Sequence, residues 1–347
     1  MGDTVNKEID MKNYQVRTDL LIDLYTGEYD KEKVDLHTEK DQDIEVVDIV
    51  IKDEENEFKK KKGKYTTVAF SDVTDKENQK RVEEVVTRYL KAMLGYLHIS
   101  PDASCLVVGL GNRESTPDSL GPRVIEKVLV TKYLFDAPGI QVSSDYRNVS
   151  VFSPGVLATT GIESSEMILG IVERTKPDFL IVIDALASTS LDRINKTIQM
   201  TDSGIHPGSG IGNNRKEINK ESLGIPVISI GVPTVIEAIT VVSDTIQYLY
   251  KHFAYNKENL NKNKFIPITK RDYREFSGEL NQEEKEELFG HIGLLSEDER
   301  KELIFEVLTP IGYNMMVTPK EIDFLMEKLS SVIASSINCS LHKNFDI

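Results

Sequence analysis

The sequence predicts an α/β fold, with a mostly parallel central sheet and helices on both faces. Short, wholly apolar segments alternate with helix-like segments between residues 98 and 253. Two of the apolar segments, FLIVI at 179–183 and IPVISIG at 225–231, have the length and composition of buried strands. Because parallel strands are joined by crossover connections that are usually helices, this alternation indicates a sheet built mainly from residues 98–253.

The elements before this region are predicted from local patterns. Segments 44–52 and 64–70 look like two strands of a hairpin, and the basic stretch Lys59–Lys64 between them is expected to be its solvated tip. Apolar residues recur at helical spacing over 82–97, which predicts an amphipathic helix. Residues 1–43 are polar and strongly charged, so they are expected to form an extension.

The elements of the α/β region and of the C-terminus follow in order. Short apolar runs predict the strands, and amphipathic spacing, an early proline or a capping pattern predicts the helices. The predicted elements are a strand at 105–110, a helix from Pro122 to about 134, a helix at 163–174, a strand at 179–183 ending at Asp184, a strand in NKTIQMT, a strand at 225–231, a helix at 234–251, and helices starting near Ser296 and Thr318.

Composition excludes several classes of function. The chain has 39% hydrophobic and 29% charged residues, as expected for a globular protein, and its formal net charge of -15 disfavours binding to nucleic acid or to an anionic membrane. Two cysteines, Cys105 and Cys339, are too few for a disulfide framework. With no secretory signal and no apolar run of bilayer length, a cytoplasmic location is expected.

The glycine-rich turn after strand 105–110 is not a convincing phosphate site. Gly109 and Gly111 fit the start of a dinucleotide fingerprint, but Glu114 stands where the third glycine belongs, and its carboxylate would repel a pyrophosphate. A second glycine-rich stretch, HPGSGIGNNRK, could form an anion-binding turn, but such turns are common. Nucleotide binding is therefore disfavoured.

Two aspartates offer a different chemistry. Asp118 follows strand 105–110 and Asp184 ends strand 179–183, so both are expected at the carboxyl edge of the sheet, where functional groups gather. Two neighbouring carboxylates could divide acid and base roles, one activating water and the other protonating a departing amide nitrogen. Helix capping remains the alternative for each. His206 could be a structural residue, a third polar member of this site or a metal ligand.

Several long motifs, in order, resemble the germination protease family of spore-forming bacteria. They are CLVVGLGN with TPDSLGP, SPGV with TGIES, PDFLIVIDALA, TDSGIHPGSGIGNNRKEI, LGIPVISIGVPTV and LTPIGYNMMVTPKEID. The resemblance implies an endopeptidase of atypical aspartic type that degrades small acid-soluble, DNA-protecting spore proteins when germination begins. It implies Asp118 and Asp184 as the catalytic pair, no metal or cofactor, a location in the spore core, a homotetramer, and a domain similar to hydrogenase-maturation peptidases.

The resemblance also implies a zymogen that removes its own N-terminal propeptide. The expected cut is the bond Asp19–Leu20, an acidic residue before a large apolar one. This divides the chain into a propeptide at 1–19, an extension with a β hairpin at 20–80, and a catalytic α/β domain with a C-terminal helical region at 81–347. Mild acidification is expected to activate the cut.

The chain departs from the family where an arginine usually follows the D-A-L-A motif, since Ser188, Thr189 and Ser190 stand there. An acidic substrate position suggests a cationic pocket, for which the candidates are Arg113, Arg193, Arg215 and Lys216. Two alternatives stay open. One is a metal-dependent hydrolase of the hydrogenase-maturation type; the other is a non-catalytic binder of spore proteins.

Overall fold

The computed structural model describes residues 18–25, 29–207, 216–259, 276–308, 315–343 and 345. The chain divides into two compact units. The larger unit comprises residues 17–235 and 318–347, and the described part of the smaller unit lies within 236–317. Residues 1–17 of the predicted propeptide, Arg215 and most of the glycine-rich stretch HPGSGIGNNRK lie outside the described residues.

The strands and helices are numbered in chain order. The strands are β1 (Val34–Asp41), β2 (Ile44–Ile51), β3 (Gly63–Phe70), β4 (Cys105–Gly109), β5 (Val149–Phe152), β6 (Phe179–Ser188), β7 (Thr197–Thr201), β8 (Val227–Glu237) and β9 (Met316–Val317). The helices are α1 (Lys76–Tyr96), α2 (Leu120–Ile125), α3 (Lys132–Phe135), α4 (Leu157–Thr160), α5 (Ser164–Thr175), α6 (Lys220–Leu223), α7 (Ala238–Asn259), α8 (Gln282–Phe289), α9 (His291–Leu294), α10 (Glu297–Leu308) and α11 (Ile322–Leu341). Short 3-10 turns occupy Leu21–Leu24, Thr116–Asp118 and Leu191–Arg193.

One mixed sheet forms the centre of the larger unit. Its strand order is β1-β2-β3-β7-β8-β6-β4-β5. β4 pairs in parallel with both β5 and β6, whereas each neighbouring pair from β1 to β8 in this order is antiparallel. The predicted N-terminal hairpin is therefore part of the same sheet as the parallel strands.

Helices cover both faces of the parallel strands. Alternate residues of a strand point to opposite faces. Cys105 and Val107 of β4 pack into a core with α1, α2 and α11, while Leu106 and Val108 pack on the other face with Ile168 of α5. This arrangement confirms the predicted α/β class and buries β4 on both sides.

Strand β1 was not predicted. Its residues are VDLHTEKD, and most of their side chains are at least partly exposed because β1 is at the edge of the sheet. Charged side chains at such an edge discourage pairing with other chains. Only Val34 and Leu36 alternate with polar residues, which is too short a pattern to predict a strand, although all eight residues of β1 pair with β2.

The predicted helix from Pro122 to about 134 is wrong. α2 ends at Ile125, and α3 begins only at Lys132. Between them, the N–H of Leu129 donates to Oδ1 of Asn338, and the N–H of Thr131 donates to the carbonyl of Val149. These long-range hydrogen bonds replace the helical ones, so the helix stops early.

The smaller unit consists of helices and a short strand pair. Ile239 of α7 packs with Ile304 and Phe305 of α10, and β9 pairs with the last two residues of β8. The capping box predicted at Ser296 is confirmed, because Ser296 and Glu299 exchange backbone-to-side-chain hydrogen bonds of 2.8 and 3.2 Å. Among the helices of the described ranges, none is long and apolar enough to span a bilayer.

Candidate active site

Asp118 lies on a tight turn that follows β4. The chain leaves β4 at Gly109, and the 3-10 turn Thr116–Asp118 folds back onto it. The N–H of Asn112 donates to Oδ2 of Asp118 at 2.8 Å, and the hydroxyl of Thr116 donates to Asp323 of α11 at 2.9 Å. The half-buried Asp118 carboxylate is thus held by the same turn that carries it.

Gly111 makes this turn possible. Its φ of +111° lies in the region that favours glycine, and a Cβ there would come within 2.0 Å of the Asp118 carbonyl oxygen and 3.0 Å of Oδ1. The close approach of the backbone to Asp118 therefore requires a residue without a side chain.

Asp184 lies inside β6 and not at its end, which corrects the predicted strand boundary. β6 continues for four residues to Ser188. Asp184 is only 7% exposed, and its Oδ1 accepts a hydrogen bond from the N–H of Ala185 at 2.9 Å. The strand extends because its last residues are bonded to the N-terminal segment, a contact that no local sequence pattern indicates.

The two aspartates flank one short segment of backbone. The N–H of Leu110 donates to the carbonyl of Ile183 at 2.8 Å, directly before Asp184, and two residues later Asn112 binds Asp118. Cα atoms of the turn Thr116–Asp118 and of β6 lie within 8 Å of each other. The expectation that these two parts of the chain meet therefore agrees with the structure, while the catalytic role of the pair stays a prediction.

His206 belongs to a chain of ionic contacts. Its Nε2 is paired with Glu217, and the other carboxylate oxygen of Glu217 is paired with Lys61. Partial burial lowers the pKa of His206, although the charge of Glu217 opposes this shift. Its membership in the aspartate site stays a prediction. Among the described side chains, no group of three His, Cys, Asp or Glu is arranged to hold a metal ion.

Hydrogen bonds and burial hold the two residues of the predicted cleavage bond, Asp19–Leu20, in place. The N–H of Asp19 donates to the carbonyl of Ala187 at 3.2 Å, and the N–H of Ala187 donates to Oδ2 of Asp19 at 2.9 Å. Leu20 and Leu21 are fully buried. Nε2 of Gln199 also donates to the Asp19 carbonyl, at 3.3 Å. The bond is thus protected by pairing on one side and by apolar burial on the other.

Lys60 also contacts this segment. Its Nζ donates to the carbonyl of Thr18 at 3.1 Å and, more weakly, to that of Asp19 at 3.5 Å. Burial lowers the pKa of Lys60, while the charges of Asp19 and Asp23 oppose the shift. The stretch Lys59–Lys64 is therefore not simply a solvated tip. No sequence pattern indicated this role, because a lysine within a basic run is normally exposed.

Asp23 joins the segment to the end of β6. Its side chain is 1% exposed, and Oδ1 lies 2.7 Å from Nε of Arg193, a close ion pair outside regular hydrogen-bond geometry. Oδ2 accepts from the hydroxyl of Ser188 at 2.9 Å and from the N–H of Thr189 at 3.0 Å. Ser188 and Thr189, which stand where an arginine was expected, thus bind a buried carboxylate.

The other candidates for a cationic pocket are also engaged. Arg113 pairs with Glu126 at 2.8 Å, and Lys216 pairs with Glu166 at 3.1 Å. Arg193 is occupied by Asp23, and Arg215 lies outside the described residues. None of the three described candidates presents an unpaired cation for an acidic substrate residue.

An α/β domain with one aspartate on the turn after β4, another inside the adjoining strand β6, and its own N-terminal segment bound to the end of β6 fits the class of peptidases. Residues 15–347 match the family model described as germination protease, Peptidase_A25. The chain belongs to the germination protease family, which confirms the resemblance seen in the motifs.

Individual relatives agree over nearly the whole chain. A germination protease of Bacillus licheniformis is 44% identical, covering 97% of this chain and 96% of its own length. One from Bacillus subtilis is 42% identical with the same coverage, and one from Bacillus mycoides is 42% identical over 99% of this chain and 98% of its own. This chain therefore spans almost the full length of these relatives.

A solved structure was also found, the [NiFe] hydrogenase maturation protease HycI from Thermococcus kodakarensis. It is 20% identical, covers 42% of this chain and 80% of its own, and superposes with a TM-score of 0.29. That TM-score is too low to establish a shared fold, so the similarity to hydrogenase-maturation peptidases stays a prediction from the motifs.

Proposed function

We propose that this chain is an endopeptidase of atypical aspartic type that begins the degradation of small acid-soluble spore proteins during germination. Family membership supports a protease that acts in germination. It also favours a catalyst over the alternative of a non-catalytic binder. The aspartic mechanism, the substrates, the spore-core location and the homotetramer are further parts of this proposal.

The observation that carries the mechanism is the placement of Asp118 and Asp184 around the backbone segment Leu110–Asn112. One carboxylate is held by the N–H of Asn112, and the other follows Ile183, whose carbonyl is bonded to Leu110. Two carboxylates in one small region favour different protonation states, because the charge of one raises the pKa of the other.

In this mechanism the ionised carboxylate takes a proton from water while the water oxygen attacks the peptide carbonyl carbon. The protonated carboxylic acid then gives its proton to the departing nitrogen as the carbon–nitrogen bond breaks. The products are a new carboxyl group and a new amine, and the pair ends with one proton between them, as it began.

We also propose that residues 1–19 are a propeptide, that 20–80 form an extension and that 81–347 form the catalytic part. In the described arrangement Asp19 is paired with Ala187, which is three residues beyond Asp184 and so about 10 Å along the strand. The Asp19–Leu20 bond must therefore separate from Ala187 before the aspartates of the same chain, or of another copy, can act on it.

A direct experiment incubates the purified protein with a small acid-soluble spore protein and identifies the fragments by mass spectrometry. The expected result is a small set of fragments, each cut between an acidic residue and a large apolar one. An intact substrate that coelutes with the protein would instead support the binding-only alternative. Asp35→Asn is the control variant, because it removes an exposed ion pair with Lys52 on the edge strand β1.

A further inference from the structure

A hydroxyl group separates the backbone nitrogen of Leu20 from a buried carboxylate. The N–H of Leu20 donates to Oγ1 of Thr18 at 3.1 Å, and the same hydroxyl donates to Oδ2 of Asp23 at 2.7 Å. The Leu20 nitrogen is thus linked to Asp23 by two hydrogen bonds in series. Thr18 is the only one of these three residues on the propeptide side of the proposed cut.

Asp23 is a buried carboxylate that already pairs with one cation. Its side chain is 1% exposed and is held by Arg193 on Oδ1, while the hydroxyl and backbone N–H groups that donate to Oδ2 are neutral. A buried carboxylate is stabilised by charged partners and by hydrogen bonds. Removal of the Thr18 hydroxyl would take away the donor that lies between Oδ2 and the Leu20 nitrogen, while the Ser188 and Thr189 donors remain.

Hydrolysis of the Asp19–Leu20 bond would supply that cation. Water adds across the bond, so that Asp19 gains a carboxylate and Leu20 gains an amine, which is protonated near neutral pH. Leu20 and Leu21 are fully buried, and the N–H of Leu21 donates to Oε1 of Gln199 at 2.8 Å. These contacts lie on the mature side of the cut and keep Leu20 in place when Thr18 and Asp19 depart.

We propose that Asp23 is the binding site for the α-ammonium group of Leu20 in the processed chain. This rests on the proposed cut at Asp19–Leu20. The ammonium replaces the Thr18 hydroxyl as the partner of Oδ2, so a hydrogen bond from a neutral donor becomes one between two opposite charges. The charged groups around it are Arg193, which shares Asp23, and Lys60, which interacts electrostatically with Asp23.

The pair would connect the cut to the strand that carries Asp184. Oδ2 of Asp23 also binds Ser188 and Thr189, which end and follow β6. Processing would therefore strengthen the interactions of the Asp23 carboxylate, which also orders the chain just beyond Asp184. In this role Asp23 is a positioning residue and does not touch the substrate.

The test uses full-length chains in which residues 16–19 are replaced by a recognition sequence for a site-specific protease that cuts directly before Leu20. The cut protein is treated with acetic anhydride near neutral pH, and the labelling of each amine is followed by mass spectrometry. The expected result is that the Leu20 amine reacts at least tenfold more slowly than the Met1 amine of the uncut chain. Equal rates would overturn the proposal.

The same chain carrying Asp23→Asn should label at Leu20 at least tenfold faster than the parent, whereas Asp35→Asn, at an exposed ion pair with Lys52, should label like the parent. A slow Leu20 amine that is unaffected by Asp23→Asn would show burial without the ion pair and would refute the site. If Asp23→Asn does not fold, the pH dependence of labelling in the parent decides, because an ion pair with Asp23 raises the pKa of the Leu20 amine above that of the Met1 amine, whereas burial alone lowers it. Because an added protease makes the cut, a failure of self-processing in the wild type is seen separately.

Discussion

The backbone N–H of Asn112 points at Asp118 and donates to both its carboxylate, at 2.8 Å, and its carbonyl, at 3.0 Å. This double contact closes the turn after β4 around Gly111. The position of the Asp118 carboxylate consequently depends on backbone that approaches it more closely than any side chain would permit.

Gly111→Ala should therefore displace Asp118 and reduce both activity and stability. The added Cβ would meet the Asp118 carbonyl at 2.0 Å at a positive φ, so we expect a loss of at least about 2 kcal/mol in the free energy of unfolding. Urea denaturation and peptide cleavage measure the two effects. Gly95→Ala, in α1 with nothing within 4 Å of the new Cβ, should instead be neutral or stabilising by about 0.5–1 kcal/mol. Equal stabilities of the two variants would contradict this account of the turn.

The ion pair between Asp23 and Arg193 should matter far more than an exposed pair. Arg193→Met leaves the buried Asp23 carboxylate without its cation, which should lower the free energy of unfolding by about 3 kcal/mol. Arg113→Met breaks the 2.8 Å pair with Glu126, whose partners are about half exposed, and should cost less than about 1 kcal/mol. Chemical denaturation of both variants makes the comparison, and similar losses would show that the burial of Asp23 contributes little.

The local patterns predicted the elements that bury apolar side chains. The strands near 179–183 and 225–231 and the helices near 82–97 and 163–174 are present as β6, β8, α1 and α5. Each has a hydrophobic pattern that burial requires, so the α/β class followed from the sequence alone. The same patterns located Asp118 and Asp184 on parts of the chain that meet.

The errors all come from contacts between distant residues. β1 is an edge strand with a polar sequence, and the helix after Pro122 stops because Thr131 bonds to Val149. Asp19 is paired with Ala187, which is 168 positions away in the sequence. Lys60 binds the carbonyl of Thr18, which is 42 positions away. Periodicity within a window of sequence contains no information on such pairings.

Glu83 in α1 should make stability depend on pH. Burial, with a smaller contribution from the charge of Glu84, raises the pKa of Glu83 to about 7. Between pH 4.5, the ordinary pKa, and about 7, the folded chain binds more protons at this residue than the unfolded chain does. Stability from this group is therefore greatest at low pH and falls as the pH rises through that window.

Glu83→Gln should remove this dependence and gain about 1–3 kcal/mol over the wild type as the pH rises from 4.5 to 8. Glu77→Gln, on the first turn of the same helix, is the matched control and should keep the wild-type profile. Urea unfolding at several pH values measures the difference. A Glu83→Gln profile parallel to that of the wild type would show that folding does not raise the pKa of Glu83.

Metal removal separates the aspartic mechanism from the metal-dependent alternative. If Asp118 and Asp184 activate water themselves, extensive dialysis against a chelator should leave cleavage of an acidic–leucine peptide within about twofold of the starting rate, since no step draws on a metal. Metal content is measured on the same samples. Activity that is lost on dialysis and restored by a transition metal would favour the alternative, with His206 as a candidate ligand.

Asp118 and Asp184 are proposed to hydrolyse the peptide bond together. The most direct measurement is kcat/KM for a peptide cut between an acidic residue and leucine, with Asp118→Asn, Asp184→Asn and the exposed control Asp35→Asn. Circular dichroism and thermal unfolding confirm that each variant is folded. We expect each active-site variant to lose at least about 10³-fold in kcat/KM, because acid–base catalysis contributes on the order of 10²–10⁴-fold. Asp35→Asn should keep the wild-type value. A folded Asp118→Asn or Asp184→Asn chain that cleaves the peptide at near the wild-type rate would contradict this mechanism.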